Sequence, residues 1–303
     1  MSSTIDFIAG APVGGEPEPV WIHGARTDPP FQVHRHDEHT YLLRQSKLVS
    51  YEAPFLFLLF GNDRALLLDT GAVADPEKAP LRETVDGLVS EWLAHHPRDR
   101  YELVVAHTHG HGDHVAGDAQ FGERSDTVVV ARDVAAVRAF FGFADWPEGV
   151  VRFDLGGRLL DVTGIPGHHA ASVAVYDPWT GLLLTGDTVC RGRLYVQDEP
   201  AFAASLDRLV GFAADRRVTA VLGSHIEMTQ TPGRDYPLGC RFQPDEPPLR
   251  MEPTVLGRAR DGARAATRPG PHVHDEFIIW NGAQLRLIVT HLPRLLWSRL
   301  RRG

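Results

Sequence analysis

The sequence predicts an α+β fold in which strands lead into covering helices. Two observations carry this. Short apolar runs of strand length, such as residues 55–60 and 101–106, end at turn formers or polar residues. Between such runs, residues 80–94 and 199–212 repeat apolar side chains at helical spacing. At 303 residues the chain is long enough to bury a full core, and its patterning favours one domain with an extension.

Residues 1 to about 35 are rich in Pro and Gly and are expected to wrap the surface. Residues 41–49, 55–60 and 65–69 read as strands of a first sheet, with Gly61-Asn62-Asp63 as a hairpin turn. Leu81, Val85, Leu88, Val89 and Trp92 recur at helical spacing, so residues 80–94 form a helix over that sheet. A buried strand follows at 101–106, then a valine-rich strand at 126–131 and a helix at 134–141. Strands at 159–163 and 181–187, a helix at 199–212 and a strand at 218–225 complete the pattern. From 235 to 271 Pro and Arg are frequent, which predicts an irregular strap or lid. Residues 277–289 carry a hairpin signal through Asn281-Gly282, and a short basic segment closes the chain. The expected division is a surface segment at 1–39, a core domain at 40–234, and at 235–303 a strap, hairpin and basic helix packed on or near the core.

The chemistry is concentrated in His109-Gly110-His111-Gly112-Asp113-His114. Three imidazoles and a carboxylate in six residues are costly to bury unless they hold something. The strand before them and the glycines among them allow a tight turn that gathers the side chains. This donor set suits zinc, and also iron or manganese. Three later strand ends carry further donors: His168 after Ile165-Pro166-Gly167, Asp187 after Gly186, and His225 after Ser224.

His-x-His-x-Asp-His at a strand end, followed in order by Pro-Gly-His, Gly-Asp and a last histidine, resembles the metallo-β-lactamase superfamily. The resemblance covers residues from about 40 to about 230 and implies a four-layer αββα sandwich. It implies two metal ions, one held by His109, His111 and His168, the other by Asp113, His114 and His225, with Asp187 between them. Asp69, in Asp69-Thr70-Gly71, fits the family's early turn beneath the site, a structural role. Two cations sharing a water would give a hydroxide near neutral pH and favour hydrolysis, with Asp113 orienting the nucleophile and passing its proton to the leaving group. The run from Gly186 to Arg193 is similar to that of the glyoxalase II-like branch, whose members cleave thioesters. That branch's helical glutathione-binding domain is not visible here, so small esters, thioesters and lactones are all expected substrates. Arg191, Arg193 and Tyr195, just beyond Asp187, are candidate contacts to a substrate acid group, with surface solvation of the arginines as the competing reading. A one-iron persulfide dioxygenase, using His109, His168 and Asp187, and a non-catalytic metal-binding protein are the alternatives.

Lys and Arg number 31 against 39 Asp and Glu, a net charge of -8, so no global positive field draws nucleic acid. The N-terminus lacks a basic stretch followed by an apolar core, and no apolar run is long enough to span a bilayer. Two cysteines, Cys190 and Cys240, suit a reducing cytoplasm, and Cys190 reads as a packing residue. The expected partner is a small-molecule substrate, with a homo-oligomer left open. The basic run 292–302 competes between membrane-surface contact and packing on the body or on another subunit. His34, His36 and His39 with Asp37 read as a polar loop at the pocket rim rather than a second metal cluster. His272 and His274 are weighed the same way. His107 and His169 read as residues supporting their ligand neighbours.

Overall fold

The computed structural model describes residues 4–10 and 15–282. Its first sheet has six strands in chain order: β1 (Phe31–Asp37), β2 (Thr40–Gln45), β3 (Phe55–Phe60), β4 (Arg64–Leu68), β5 (Glu102–Ala106) and β6 (Thr127–Val129). Pairing is antiparallel from β1 to β4 and parallel from β4 to β6. The Gly61-Asn62-Asp63 turn closes with the Gly61 amide donating to the Arg64 carbonyl at 3.0 Å, as its residues predict. The second sheet runs β12-β10-β9-β8-β7, built from β7 (Val151–Asp154), β8 (Leu159–Gly164), β9 (Val173–Asp177), β10 (Leu182–Gly186) and β12 (Ala220–Gly223). A third, smaller sheet places β14 (Ile278–Trp280) between β11 (Arg193–Tyr195) and β13 (Pro271–Val273). The helices are α1 (Leu81–His95), the single turn α2 (Gly112–Val115), α3 (Val134–Phe141), α4 (Glu199–Ala214) and α5 (Val255–Ala265).

The layers follow from the two-residue period of the strands. In β3, Phe55, Phe57 and Leu59 enter one core while Leu56, Leu58 and Phe60 enter another. The first core lies between the two large sheets, where it also receives Val173 and Val175 of β9 and Leu182 and Leu184 of β10. The second lies under α1, against Leu81, Val85, Val89 and Trp92. A third core joins Ala174 and Leu183 to Phe202, Leu206 and Leu209 of α4 and to α5. The order is helix, sheet, sheet, helix. Strands buried on both faces read as continuous apolar runs, which is why they were legible without alternation.

Two expectations fail. The histidines at 34 and 36 lie on β1, not in a polar loop, and neither lines the large cavity. Both point inward from alternate positions, His34 edge-on to the Trp21 ring, so imidazoles fill places where an apolar pattern was sought. The strap from 235 to 271 is not irregular throughout, since residues 255–265 are helical. The buried face of α5 is Val255, Leu256, Ala259 and Gly262, too small-sided and too interrupted by Arg to show in the sequence. The strap is held by Glu246, whose carboxylate takes both terminal nitrogens of the fully buried Arg44 on β2. The strand predicted at 277–280 exists as β14, but the far arm of its hairpin and the basic run 292–302 fall outside the described residues. Arg158, also buried, joins the two large sheets: it pairs with Asp177 of β9 at 2.6 Å and donates to the carbonyls of His39 and Phe60. Among the described residues no helix is long and apolar enough to cross a membrane.

Candidate metal centre

Four strand ends meet at one edge of the sandwich. Residues 109–114 follow β5, His168 follows β8, Asp187 is the first residue after β10, and His225 stands just past β12. The loop before His168 requires Gly167, whose φ is +134° and whose missing Cβ would sit 2.3 Å from the Phe202 backbone.

The donors fall into two sets. His109, His111 and His168 form one; Asp113, His114, Asp187 and His225 form the other. In the first, His111 Nδ1 lies 3.0 Å from His109 Nε2 and 3.0 Å from His168 Nε2. In the second, His225 Nε2 is 3.4 Å from His114 Nε2 and 3.2 Å from the Asp113 carboxylate. Asp187 faces both: Oδ2 is 3.7 Å from His168, while Oδ1 is 3.5 Å from His114 and 3.4 Å from His225. Donors about 2.1 Å from a tetrahedral ion stand roughly 3.4 Å apart, so the second set has the edge lengths of such a polyhedron.

Each ring is oriented from behind. His114 Nδ1 donates to Asp69 at 2.9 Å, His168 Nδ1 to the Tyr195 carbonyl at 2.9 Å, and His225 Nδ1 to the Glu52 carbonyl at 3.0 Å. His109 Nδ1 meets the Thr108 hydroxyl at 3.1 Å, and that hydroxyl itself donates to Asp69 at 2.8 Å. These bonds place the ring proton on Nδ1 and leave Nε2 free to ligate. His111 is reversed: Nδ1 faces the set, and Nε2 lies 3.0 Å from Gln197 Nε2, so Nδ1 is free to ligate once the Gln197 amide turns its oxygen to this ring and accepts the Nε2 proton. Asp187 Oδ1 is buried with no hydrogen-bond donor of its own. Converging lone pairs and an orphaned carboxylate oxygen fit a cation in each set.

The electrostatics agree with that fit. Burial, reinforced by neighbouring histidines, holds His109 well below the ordinary imidazole range, and burial takes His168 down to about 4. The first set is therefore neutral and able to donate. In the second, burial is outweighed: Asp69 and Asp187 hold His114 well above its ordinary value, and Asp187 and Asp113 bring His225 to about 9. Burial opposes ionisation of Asp113 and Asp187 as well, yet the imidazoles beside them keep both below the usual carboxylate range. Protons occupy the places where this chemistry fits a divalent ion.

Other predicted residues are placed as follows. Asp69, at φ +71°, lies beneath both sets. Tyr195 and Arg193 line the cavity above them, whereas Arg191 does not. Neither arginine is solvated at the surface. Arg193 is buried against Glu227 and Asp235, and Arg191 pairs with Glu276 at 3.2 Å. Cys190 is buried, and burial pushes its thiol well up, as suits packing. His107 stands 3.3 Å from Asp118, and the His169 ring lies 5.0 Å from that of His111, so both flank the sets without joining them. His39 groups with Glu38 and His96, but its Nδ1 accepts from Trp92 Nε1 at 3.0 Å, which leaves the proton on Nε2 where a ligand lone pair is needed. His272 and His274 lie on or beside β13, and the His274 ring packs on Phe277 at 4.8 Å. Glu52, Gln197 and Glu227 were not singled out from sequence. Each is an isolated polar residue in a loop, and only the fold brings it to the site.

Comparison with known proteins gives the same picture. The family model described as the metallo-beta-lactamase superfamily matches residues 53–225. A hydroxyacylglutathione hydrolase of Ruegeria pomeroyi is 30% identical over 207 residues, which is 66% of this chain and 71% of that protein. Another of that name, from Rhizobium meliloti, is 28% identical over 52% of this chain and 57% of its own length. Among solved structures, the TMB-1 structure superposes with a TM-score of 0.54 at 16% identity, covering 80% of this chain and all of that one. A metallo-beta-lactamase from Pontibacter korlensis gives 0.51 at 16%, over 77% and 99% of the two chains. At such identities the structures speak for the fold alone. The family match spans more than half of the chain and includes the four strand ends, and the chain belongs to the metallo-beta-lactamase superfamily.

Proposed function

We propose that this chain is a hydrolase that uses two divalent metal ions, zinc by preference, to cleave a small ester, thioester or lactone. The observation that supports it is the division of Asp187, one carboxylate oxygen toward each donor set, with each histidine turning one ring nitrogen toward its set. His109, His111 and His168 would hold one ion and Asp113, His114 and His225 the other, with Asp187 shared. When bound, two such ions supply hydroxide near neutral pH, the pKa of water falling from ~15.7 toward ~7, and positive charge where the carbonyl oxygen becomes negative. Asp113 stays ionised, and one of its oxygens is 3.2 Å from His225. Its role is to orient the nucleophile and to carry its proton toward the leaving group.

A one-iron dioxygenase would use His109, His168 and Asp187 and leave His111, Asp113, His114 and His225 without work. The completeness of the second set favours the hydrolase. The names of the relatives add weight to a thioester. Residues 40–234 are proposed as the catalytic unit and 235–303 as an extension, of which Leu238, Trp280 and Gly282 wall the cavity.

Metal content and turnover of small thioesters and lactones, measured side by side for the wild type, Asp187→Ala and Asp113→Asn, test this reading. The expected result is about two zinc per chain in the wild type and loss of metal and activity in Asp187→Ala. For Asp113→Asn, turnover falls by about 100-fold or more. A wild type that binds no metal sinks the proposal. An Asp113→Asn protein with both metals and full turnover removes the role given to Asp113.

A further inference from the structure

Above the donor sets opens a cavity of about 730 Å3, within the range of a small-molecule site. Most of its lining residues are not metal donors, so its walls decide what the rest of the substrate looks like. The walls carry the aromatic rings of Tyr51, Tyr195 and Trp280 and the carboxylates of Glu52 and Glu227. Among the described residues Arg193 is the lining cation.

Arg193 is already committed. Its guanidinium pairs with Glu227 and, at 2.7 Å, with Asp235; it also donates to the Tyr195 hydroxyl at 2.8 Å and to the Tyr236 carbonyl at 3.0 Å. A guanidinium has five N–H bonds in a fixed fork, and these partners take nearly all of them. Glu227 is fixed in turn, accepting from the Arg193 amide at 2.7 Å. Counting the groups just behind it, this wall sets three cations, Arg193, Arg44 and Lys47, against four carboxylates, Glu52, Glu227, Asp235 and Glu246, and each cation is already paired. An anionic group entering here would lose its water and meet like charge, with no free arginine among the described lining residues to bind it. An apolar or cationic group would meet aromatic faces and surplus negative charge.

We infer that the cavity selects esters or thioesters whose non-reacting part is aromatic or cationic, and rejects those whose tail carries carboxylates. This rests on the hydrolase reading above and narrows its substrate. It also separates this chain from its relatives, because the glutathione in their name carries two carboxylates.

The test uses three hydroxamic acids with one metal-binding head and different tails: a phenyl group, an alkylammonium group and a dicarboxylate. Their Kd values are measured by calorimetry on the zinc-loaded chain at low salt. The phenyl and ammonium compounds should bind about tenfold or more tighter than the dicarboxylate. Raising the salt should weaken the ammonium compound alone. Glu52→Gln, checked for its fold by circular dichroism, should shrink the gap between ammonium and dicarboxylate severalfold. Equal or tighter binding of the dicarboxylate overturns the inference, and so does failure of all three to bind. Turnover of thioesters with the same three tails is followed separately. The predicted ranking of Kd without any hydrolysis supports the selection and sinks only the hydrolase reading.

Discussion

At the scale of single residues, Asp69 does more than the turn it occupies. Its carboxylate receives the Thr108 amide at 2.7 Å, the Thr108 hydroxyl at 2.8 Å and His114 Nδ1 at 2.9 Å. Asp69→Asn keeps the size and tolerates the left-handed backbone. It also allows an amide N–H to face His114 Nδ1, which moves the ring proton to Nε2 and removes that nitrogen from the second donor set. The expected outcome is a 10- to 100-fold loss of zinc affinity at one of two sites, with an unchanged circular dichroism spectrum, read by competition with a chelating dye. The residues that form the sets were legible because they sit in a compact motif and at strand ends. Glu52, Gln197 and Trp280 were not, because nothing in their neighbours' sequence says that they face a cavity.

Among the elements, the loop of His168 and α4 meet at a tight junction. Phe202 of α4 packs so closely on Gly167 that a methyl group there would overlap its backbone. Gly167→Ala therefore meets both a strained φ and a collision, and should cost ~2–4 kcal/mol, seen as a fall in Tm and urea midpoint. The match between sequence and structure varies from element to element for physical reasons. Helix α3 was predicted at its observed bounds because Asp133 caps it by accepting from the Ala136 amide and Gly142 ends it at φ +84°. Helix α5 was hidden because alanine and glycine make its buried face. Strand β1 was hidden because histidines do, and three-residue strands such as β11 and β13 are too short to show a period.

For the molecule as a whole, the two large sheets are joined by more than apolar packing. Arg158 and Asp177 are both buried and satisfy each other. Burial opposes ionisation of Asp177, but the guanidinium beside it holds its carboxyl below the usual range. Arg158→Ala would leave that carboxylate unpaired, and the carbonyls of His39 and Phe60 short of a donor. A loss of ~3–5 kcal/mol in urea denaturation at pH 7 is expected, larger than for Arg158→Ala with Asp177→Asn, where no charge is left behind. The first and second donor sets obey the same plan on a smaller scale, since residues 109–114 belong to one sheet and His168, Asp187 and His225 to the other. An ion seated between them is a removable cross-link. Donors from both sheet edges would hold it, so loading the sets would tie the two sheets together. The firmness of the sandwich would then follow the metal supply, and a chelator that strips both sets should lower the urea midpoint of the whole chain.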